Sequence, residues 1–296
     1  MNLSPSLKTT IVSADLREWT PCCFDSFVQE LSYTVAQCEA VQHRVLFRGH
    51  RDSRWLLDST FVRRVKEEVL GISSMSRISK EYRASKNYLN LLSSLFFFKF
   101  GVGVRPSQQL FGVCAKDEEL DPWFELMKRI QQYPEEDCGT LRGTFLLDWT
   151  QNRDVAMFFA NELRCSHASG AVWIADITAM GAILHQDMKV IEIMKIMEES
   201  IAVDKASGCP LVFCPKKQTA CARARNQDAI YMAQMDLRYD LADIWSRMPA
   251  NGESVFLKII LPAGTVHECE AWLAERGITE TFIYPDKKSS TTTDLS

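Results

Sequence analysis

Two continuous apolar runs of strand length, Ala171 to Ile177 and Val255 to Leu261, constrain the fold more than any other feature of the chain. Each reads as a strand. Helical spacing recurs around them. Phe24, Phe27, Val28, Leu31 and Val35 mark a helix, followed by a short strand from Arg44 to Phe47. Tyr82, Tyr88, Leu89, Leu92, Leu95 and Phe96 mark a second helix, and Asp121-Pro122 is an N-cap with proline at the first helical position of a third. Residues 153–164 read as another, starting near Asn152. Pro262-Ala263-Gly264 turns the chain into a helix that stops at Gly277. Helix and strand interleave without regular βαβ alternation. That order predicts an α+β single domain with a mixed or split sheet between flanking helices.

The chain has 296 residues, long enough to bury about 75% of its unfolded surface without help from a metal or a disulfide. With 46% hydrophobic and 24% charged residues it falls outside the disordered, collagenous and disulfide-miniprotein classes. A net charge of −4 argues against general nucleic-acid affinity, so any basic site must be local. The sequence starts MNLSPSLKTTIVSADLREW, which has no charged-then-apolar leader, and the expectation is a cytoplasmic protein. The longest apolar stretch, Leu91 to Val104, carries Ser93, Ser94 and Lys99 and is too short to span a bilayer. The ten cysteines are read as reduced thiols. Cys209, Cys214 and Cys221 offer a structural zinc as the alternative, but their C-x4-C and C-x6-C spacings lack a CxxC pair or a neighbouring histidine pair, and no metal is expected. GxGxxG after a strand, GxxxxGK[ST], HExxH and GxSxG are all absent, which removes the familiar dinucleotide, P-loop, zincin and serine-hydrolase chemistries.

Three constellations stand out. Segment 44–66 carries Arg44, Arg48, Arg51, Arg54, Arg63, Arg64 and Lys66 against Asp52 and Asp58, a local excess of +5. Arg51, Arg54, Arg63 and Arg64 each suit a solvated basic face. Arg48 lies between Val45-Leu46-Phe47 and Trp55-Leu56-Leu57, so its charge must be paired or bound. At the end of a strand, beside Gly49, it could fork onto phosphate oxygens. Asp148 follows Phe145-Leu146-Leu147 and precedes a helix; it either offers a carboxylate to a site or caps that helix. Lys216, Lys217, Arg223 and Arg225 form a basic run before Asp228, and Gln227 needs a hydrogen-bond partner if it is buried.

Together these pieces resemble the FRG domain family. Phe47-Arg48-Gly49 is similar to its name-giving signature, with Trp55-Leu56-Leu57 and Arg63 where the family has an aromatic-Leu pair and an arginine. Leu146-Leu147-Asp148-Trp149-Thr150 followed by Ala156-Met157-Phe158-Phe159-Ala160 resembles its LLDWT…A-x-F-A motif. Arg223-x3-Gln227-x-Ala229-x-Tyr231 resembles R-x3-Q-x-G-x-F, with alanine for glycine and tyrosine for phenylalanine. Leu273-x3-Gly277-Ile278 before Ile283-Tyr284-Pro285-Asp286 resembles the family's close. Where the family has His-aromatic-Gly, this chain has Gly139-Thr140-Leu141. The likeness spans about 44–286, leaving 1–43 as an N-terminal strand/helix extension, about 67–140 as an aromatic-rich insertion and 287–296 as a disordered tail.

The resemblance implies an ADP-ribosyltransferase-like fold and an NAD-dependent toxin of bacterial anti-phage defence, restrained by an antitoxin and in some systems a chaperone. On that reading Arg48 holds the diphosphate with Arg223 in support, Trp149 or Tyr231 clamps the nicotinamide, and Asp148 or Gln227 stands by the ribose and the acceptor. Gly49 and Thr150 complete the expected NAD contacts. Glu253 is the one glutamate placed at a strand start. Nucleic acid, RNA before DNA, is the expected acceptor, because segments 44–66 and 216–225 could line a groove for a polyanion. Protein as acceptor, a metal-independent ribonuclease with Arg48 on the scissile phosphate, and a non-enzymatic interaction module using Leu91 to Phe98 are the alternatives.

Overall fold

A computed structural model of the chain describes residues 9–13, 16–79, 90–91, 94–95, 127–134, 137, 141–179, 210–213, 222–234, 238–246 and 256–286. Glu253, Lys216, Lys217, Cys209, Cys214, Cys221, Asp121-Pro122, most of the expected helix between Tyr82 and Phe96, and the tail 287–296 lie outside the described residues.

One mixed sheet organises the molecule. Its strands are β1 (Thr9–Ser13), β2 (Leu16–Trp19), β3 (Val45–His50), β4 (Leu146–Thr150), β5 (Gly170–Asp176), β6 (Pro210–Phe213), β7 (Ala229–Gln234) and β8 (Phe256–Leu261). They lie side by side in the order β1-β2-β8-β5-β3-β4-β7-β6, so that six strands from β2 to β7 sit between β1 at one edge and β6 at the other. The β2–β8 contact is parallel and the rest are antiparallel. Flanking helices are α1 (Phe24–Ala40), α2 (Thr60–Arg64) running into a π-helical turn (Val65–Val69), α3 (Arg153–Asn161), α4 (Ala222–Asn226), α5 (Leu241–Ser246), α6 (Val266–Ala274) and α7 (Glu280–Ile283). The segment expected as an N-terminal extension joins this sheet through β2 and packs Phe24, Phe27 and Leu31 of α1 into the core.

The apolar run of β5 follows from cover on both faces. Val172 and Ile174 enter one core with α1, α3 and α6, while Trp173 and Ala175 enter a second core with Leu57, Tyr239 and Leu241. Asn152 caps α3, its Oδ1 accepting from the Asp154 N–H at 2.9 Å. α3 stops at Asn161, three residues short of the expected end, because Glu162 leaves the helical region with ψ 123° and Leu163 is left-handed with φ +54°. Gly277, at φ +72°, ends the turn after α6 and lets the Ile278 N–H reach the Leu273 carbonyl at 3.0 Å.

The early strand departs from expectation. β3 continues past Phe47 through Arg48 and Gly49 to His50, so Arg48 lies inside a strand and not at its end. Gly49 serves α3: a Cβ there would stand 1.9 Å from the Ala156 carbonyl oxygen and 2.5 Å from the Ala160 nitrogen. The missing side chain lets helix backbone rest directly on strand backbone, a packing reason for glycine at this position.

β3 treats its two neighbours differently. Six residue pairs, Val45↔Asp176 through His50↔Ala171, join it to β5. A single pair, Phe47↔Thr150, joins it to β4. Beyond that pair the two strands leave a split.

Candidate functional site

A cavity of about 350 Å³ occupies the split, within the range of small-molecule sites. Phe47, Arg48 and Gly49 line it from β3, and Asp148, Trp149 and Thr150 from β4. Arg223 and Gln227 close it from α4 and the turn that follows.

Arg48 bridges the split. Its Nη1 donates to the main-chain carbonyl of Asp148, which the parted ladder leaves without a β3 partner, and its Nε donates to His50 Nε2 at 3.1 Å. Nη2 has no hydrogen-bond partner among the described residues. Burial lowers the Arg48 pKa to about 10, against the pull of the Asp148 carboxylate, and nearby Arg63 adds to the lowering. Burial, then Arg48, Arg63 and Lys258, hold His50 well below the ordinary imidazole range, so it stays neutral and can accept the Arg48 hydrogen bond.

Asp148 sits mid-strand and is not the helix cap, a role Asn152 takes. Its Oδ2 accepts from Gln131 Nε2 at 2.7 Å, and Gln131 Oε1 accepts from Thr144 Oγ1 at 2.8 Å, which fixes the amide. Oδ1 is buried and has no hydrogen-bond partner among the described residues. Burial raises the Asp148 pKa above its ordinary value, with Arg48 and the Gln131 bond opposing.

Arg223 is clamped between rings, 5.3 Å from the Tyr133 centroid and 5.2 Å from that of Tyr284. Its Nη1 donates to the Gln132 carbonyl at 2.6 Å, while Nε is buried without a hydrogen-bond partner among the described residues. Tyr284 donates to Glu162 Oε2 at 2.9 Å, and burial together with that bond raises its pKa.

The other expected residues divide by role. Gln227 is buried and donates to the Ile283 carbonyl at 3.3 Å, so its amide holds the C-terminal segment against the site. The Thr150 hydroxyl accepts from the Asn152 N–H at 3.0 Å and shapes the turn into α3. Trp149 touches the cavity but is only 2% exposed, packed with Leu46, Leu147 and Trp173. Tyr231 is buried, its hydroxyl accepts from Gln132 Nε2 at 3.2 Å, and it does not line the cavity.

Most basic side chains after Gly49 in segment 44–66 have partners close by. Arg54 pairs with Asp52 at 2.7 Å, Arg64 with Glu68 at 3.3 Å, and buried Lys66 with Asp58 at 2.5 Å. Arg63 donates to the Asp58 carbonyl and to Thr60 Oγ1. Arg51 alone of the expected face opens on the cavity, 5.3 Å from the Trp55 ring centroid and in no ion pair among the described residues.

Sequence reasoning left out Glu162 and also Gln131, Gln132 and Pro134, carried by the helical residues 127–132 and the turn after them, and gave no site role to Arg51, Trp55, Phe159 and Tyr284. Polar side chains following buried Met127 and Ile130 at helical spacing were the one available signal for the glutamines. No protein-family model, no curated protein and no solved structure matches the chain. Among the described residues no helix is long and apolar enough to cross a membrane, and no three His, Cys, Asp or Glu side chains converge as a metal would require.

Proposed function

We propose that the split between β3 and β4 binds NAD and that the protein transfers its ADP-ribosyl group to an acceptor. One observation carries the reading: Asp148 and Arg223 both line the cavity, and each carries a buried polar atom without a partner among the described residues, the acceptor Asp148 Oδ1 and the donor Arg223 Nε. Buried polar atoms left in that state cost about 1–3 kcal/mol each, so a ligand supplying both partners recovers that cost. A ribose hydroxyl suits the carboxylate, and a diphosphate oxygen suits the guanidinium, with Arg48 Nη2 as a second donor.

NAD supplies, as substrate, a ribosyl carbon whose bond to nicotinamide breaks with the electron pair leaving on the ring nitrogen. Arg48 and Arg223 hold the diphosphate end. Gln131 orients the Asp148 carboxylate, whose raised pKa brings it towards the working range of a general base. In its ionised form it stabilises positive charge developing on the ribose and takes the proton of the attacking acceptor. The ADP-ribosyltransferase-like fold expected from the resemblance is part of this proposal; a mixed sheet opened between two strands is compatible with it.

RNA is the favoured acceptor, with DNA and protein as alternatives. Arg51 and Trp55 at the cavity offer a cation and an aromatic surface, the two groups that single-stranded nucleic acid uses. The role as a phage-defence toxin restrained by an antitoxin rests on the resemblance alone. Incubation with NAD labelled in its adenylate moiety, followed by separation of RNA, DNA and protein pools, tests the reading. Label in the RNA pool that falls with rising salt is expected. Unlabelled pools, with RNA fragments appearing, would favour the ribonuclease alternative.

A further inference from the structure

A second hollow of about 360 Å³ lies behind the wall of the first, between the end of α3 and the α6–α7 corner. Phe158, Leu273 and Ile278 give it an apolar floor. Glu162, Glu270 and Glu280 stand around that floor.

Leu163 on its rim is the unusual residue. It is 80% exposed, while no other exposed large hydrophobic side chain among the described residues exceeds 41%. It also holds φ +54°, a conformation that costs a non-glycine residue roughly 1–2 kcal/mol. Its neighbours explain the backbone. Asn161 Nδ2 donates to the Val266 carbonyl, and Arg164 donates to Asn161, Thr265 and the Pro262 carbonyl, so the chain must turn sharply between two anchored side chains. They do not explain the leucine. Asparagine or glycine would make the same turn at less cost, and an exposed leucine returns no burial in the isolated chain.

We infer that this hollow docks a short amphipathic segment of a partner protein, with large aliphatic side chains that cover Leu163 and the floor and flanking Lys or Arg residues that meet the three glutamates. Charge selects the occupant: Glu162, Glu270 and Glu280 make the lining acidic, with exposed His267 3.0 Å from Glu270, so acidic residues of a docked segment would meet like charge while Lys or Arg would be attracted. Glu162 belongs to both hollows, and its carboxylate holds the Tyr284 hydroxyl, so the docked segment lies one side chain away from the Arg223 clamp.

The test needs no NAD and so stands or falls apart from the transferase reading. The probe is a labelled peptide of roughly 14 residues with leucine at i, i+3, i+4 and i+7 and lysine elsewhere, read by fluorescence anisotropy against the full chain. A leucine–glutamate peptide of the same spacing is the control. The lysine peptide should bind and the glutamate peptide should not. Leu163→Gly should weaken binding about tenfold or more while thermal unfolding stays at or above the wild-type temperature, because glycine accepts the left-handed backbone. Glu270→Lys should weaken it about as much without unfolding the protein. Lysine-peptide binding that Leu163→Gly leaves unchanged, or no binding at all, overturns the proposal. A concentration-dependent dimer that Leu163→Gly abolishes would seat a second copy of the chain there and overturn it equally.

Discussion

The two edges of β3 show what a strand gains by keeping its ladder and what it gains by giving it up. Towards β5 the pairing is complete over six residues, and Ile174, buried at its centre, lies opposite Phe47. Towards β4 one pair remains, and a guanidinium stands in for the missing hydrogen bonds. The closed edge puts its residues into packing. The open edge holds a cation, a raised-pKa carboxyl and a 350 Å³ cavity a few residues away. A site of this kind needs both: the complete ladder fixes β3 so firmly that the split can stay open.

Substitutions on either edge should therefore separate stability from ligand binding, and Gly49 gives the largest effect. Gly49→Ala drives a Cβ into the α3 backbone and should cost about 3 kcal/mol, read as a loss of folded protein in thermal unfolding. On the closed edge, Ile174→Ala should cost about 2–5 kcal/mol while NAD affinity in the remaining folded protein stays unchanged. On the open edge the pattern should reverse. Arg48→Ala leaves the Asp148 carbonyl and the His50 nitrogen without a donor, a loss of about 1–2 kcal/mol, yet should lower nicotinamide release about a hundredfold.

Asp148→Asn sharpens the contrast, since it should gain stability and lose function. Below pH 3.8 the carboxyl is protonated in both states. As pH rises the unfolded chain ionises first, so folding stability falls between 3.8 and the raised folded value. The asparagine variant should lack that fall and unfold at a higher temperature than the wild type at neutral pH, with labelling of the acceptor abolished. Arg223→Lys should give the smallest change. It keeps a cation but loses the fork between Tyr133 and Tyr284, and KM for NAD should rise about tenfold with kcat little altered.

Local pattern made much of this legible. The β5 and β8 runs, the Asn152 cap and the stop at Gly277 are decided by near neighbours, and the sequence shows near neighbours. Arg48, Asp148, Arg223 and Gln227, far apart in the sequence, also meet at one cavity. What sequence could not show is why each is there. Gly49 answers to Ala156 and Ala160, more than a hundred positions away, and Gln227 to the Ile283 carbonyl. Gln131 carries no motif and Tyr284 stood in one without a role; tertiary packing brings one to the Asp148 carboxylate and the other to the Arg223 guanidinium. The length of β3 was missed because Arg48 interrupts the apolar run, and only the split makes a charge tolerable in that strand.

A crystal structure with a non-hydrolysable NAD analogue would decide the matter. The account requires the diphosphate within hydrogen-bond distance of Arg48 Nη2 and Arg223 Nε, and a ribose hydroxyl on Asp148 Oδ1. An analogue bound elsewhere, with those three atoms still lacking partners, would contradict it.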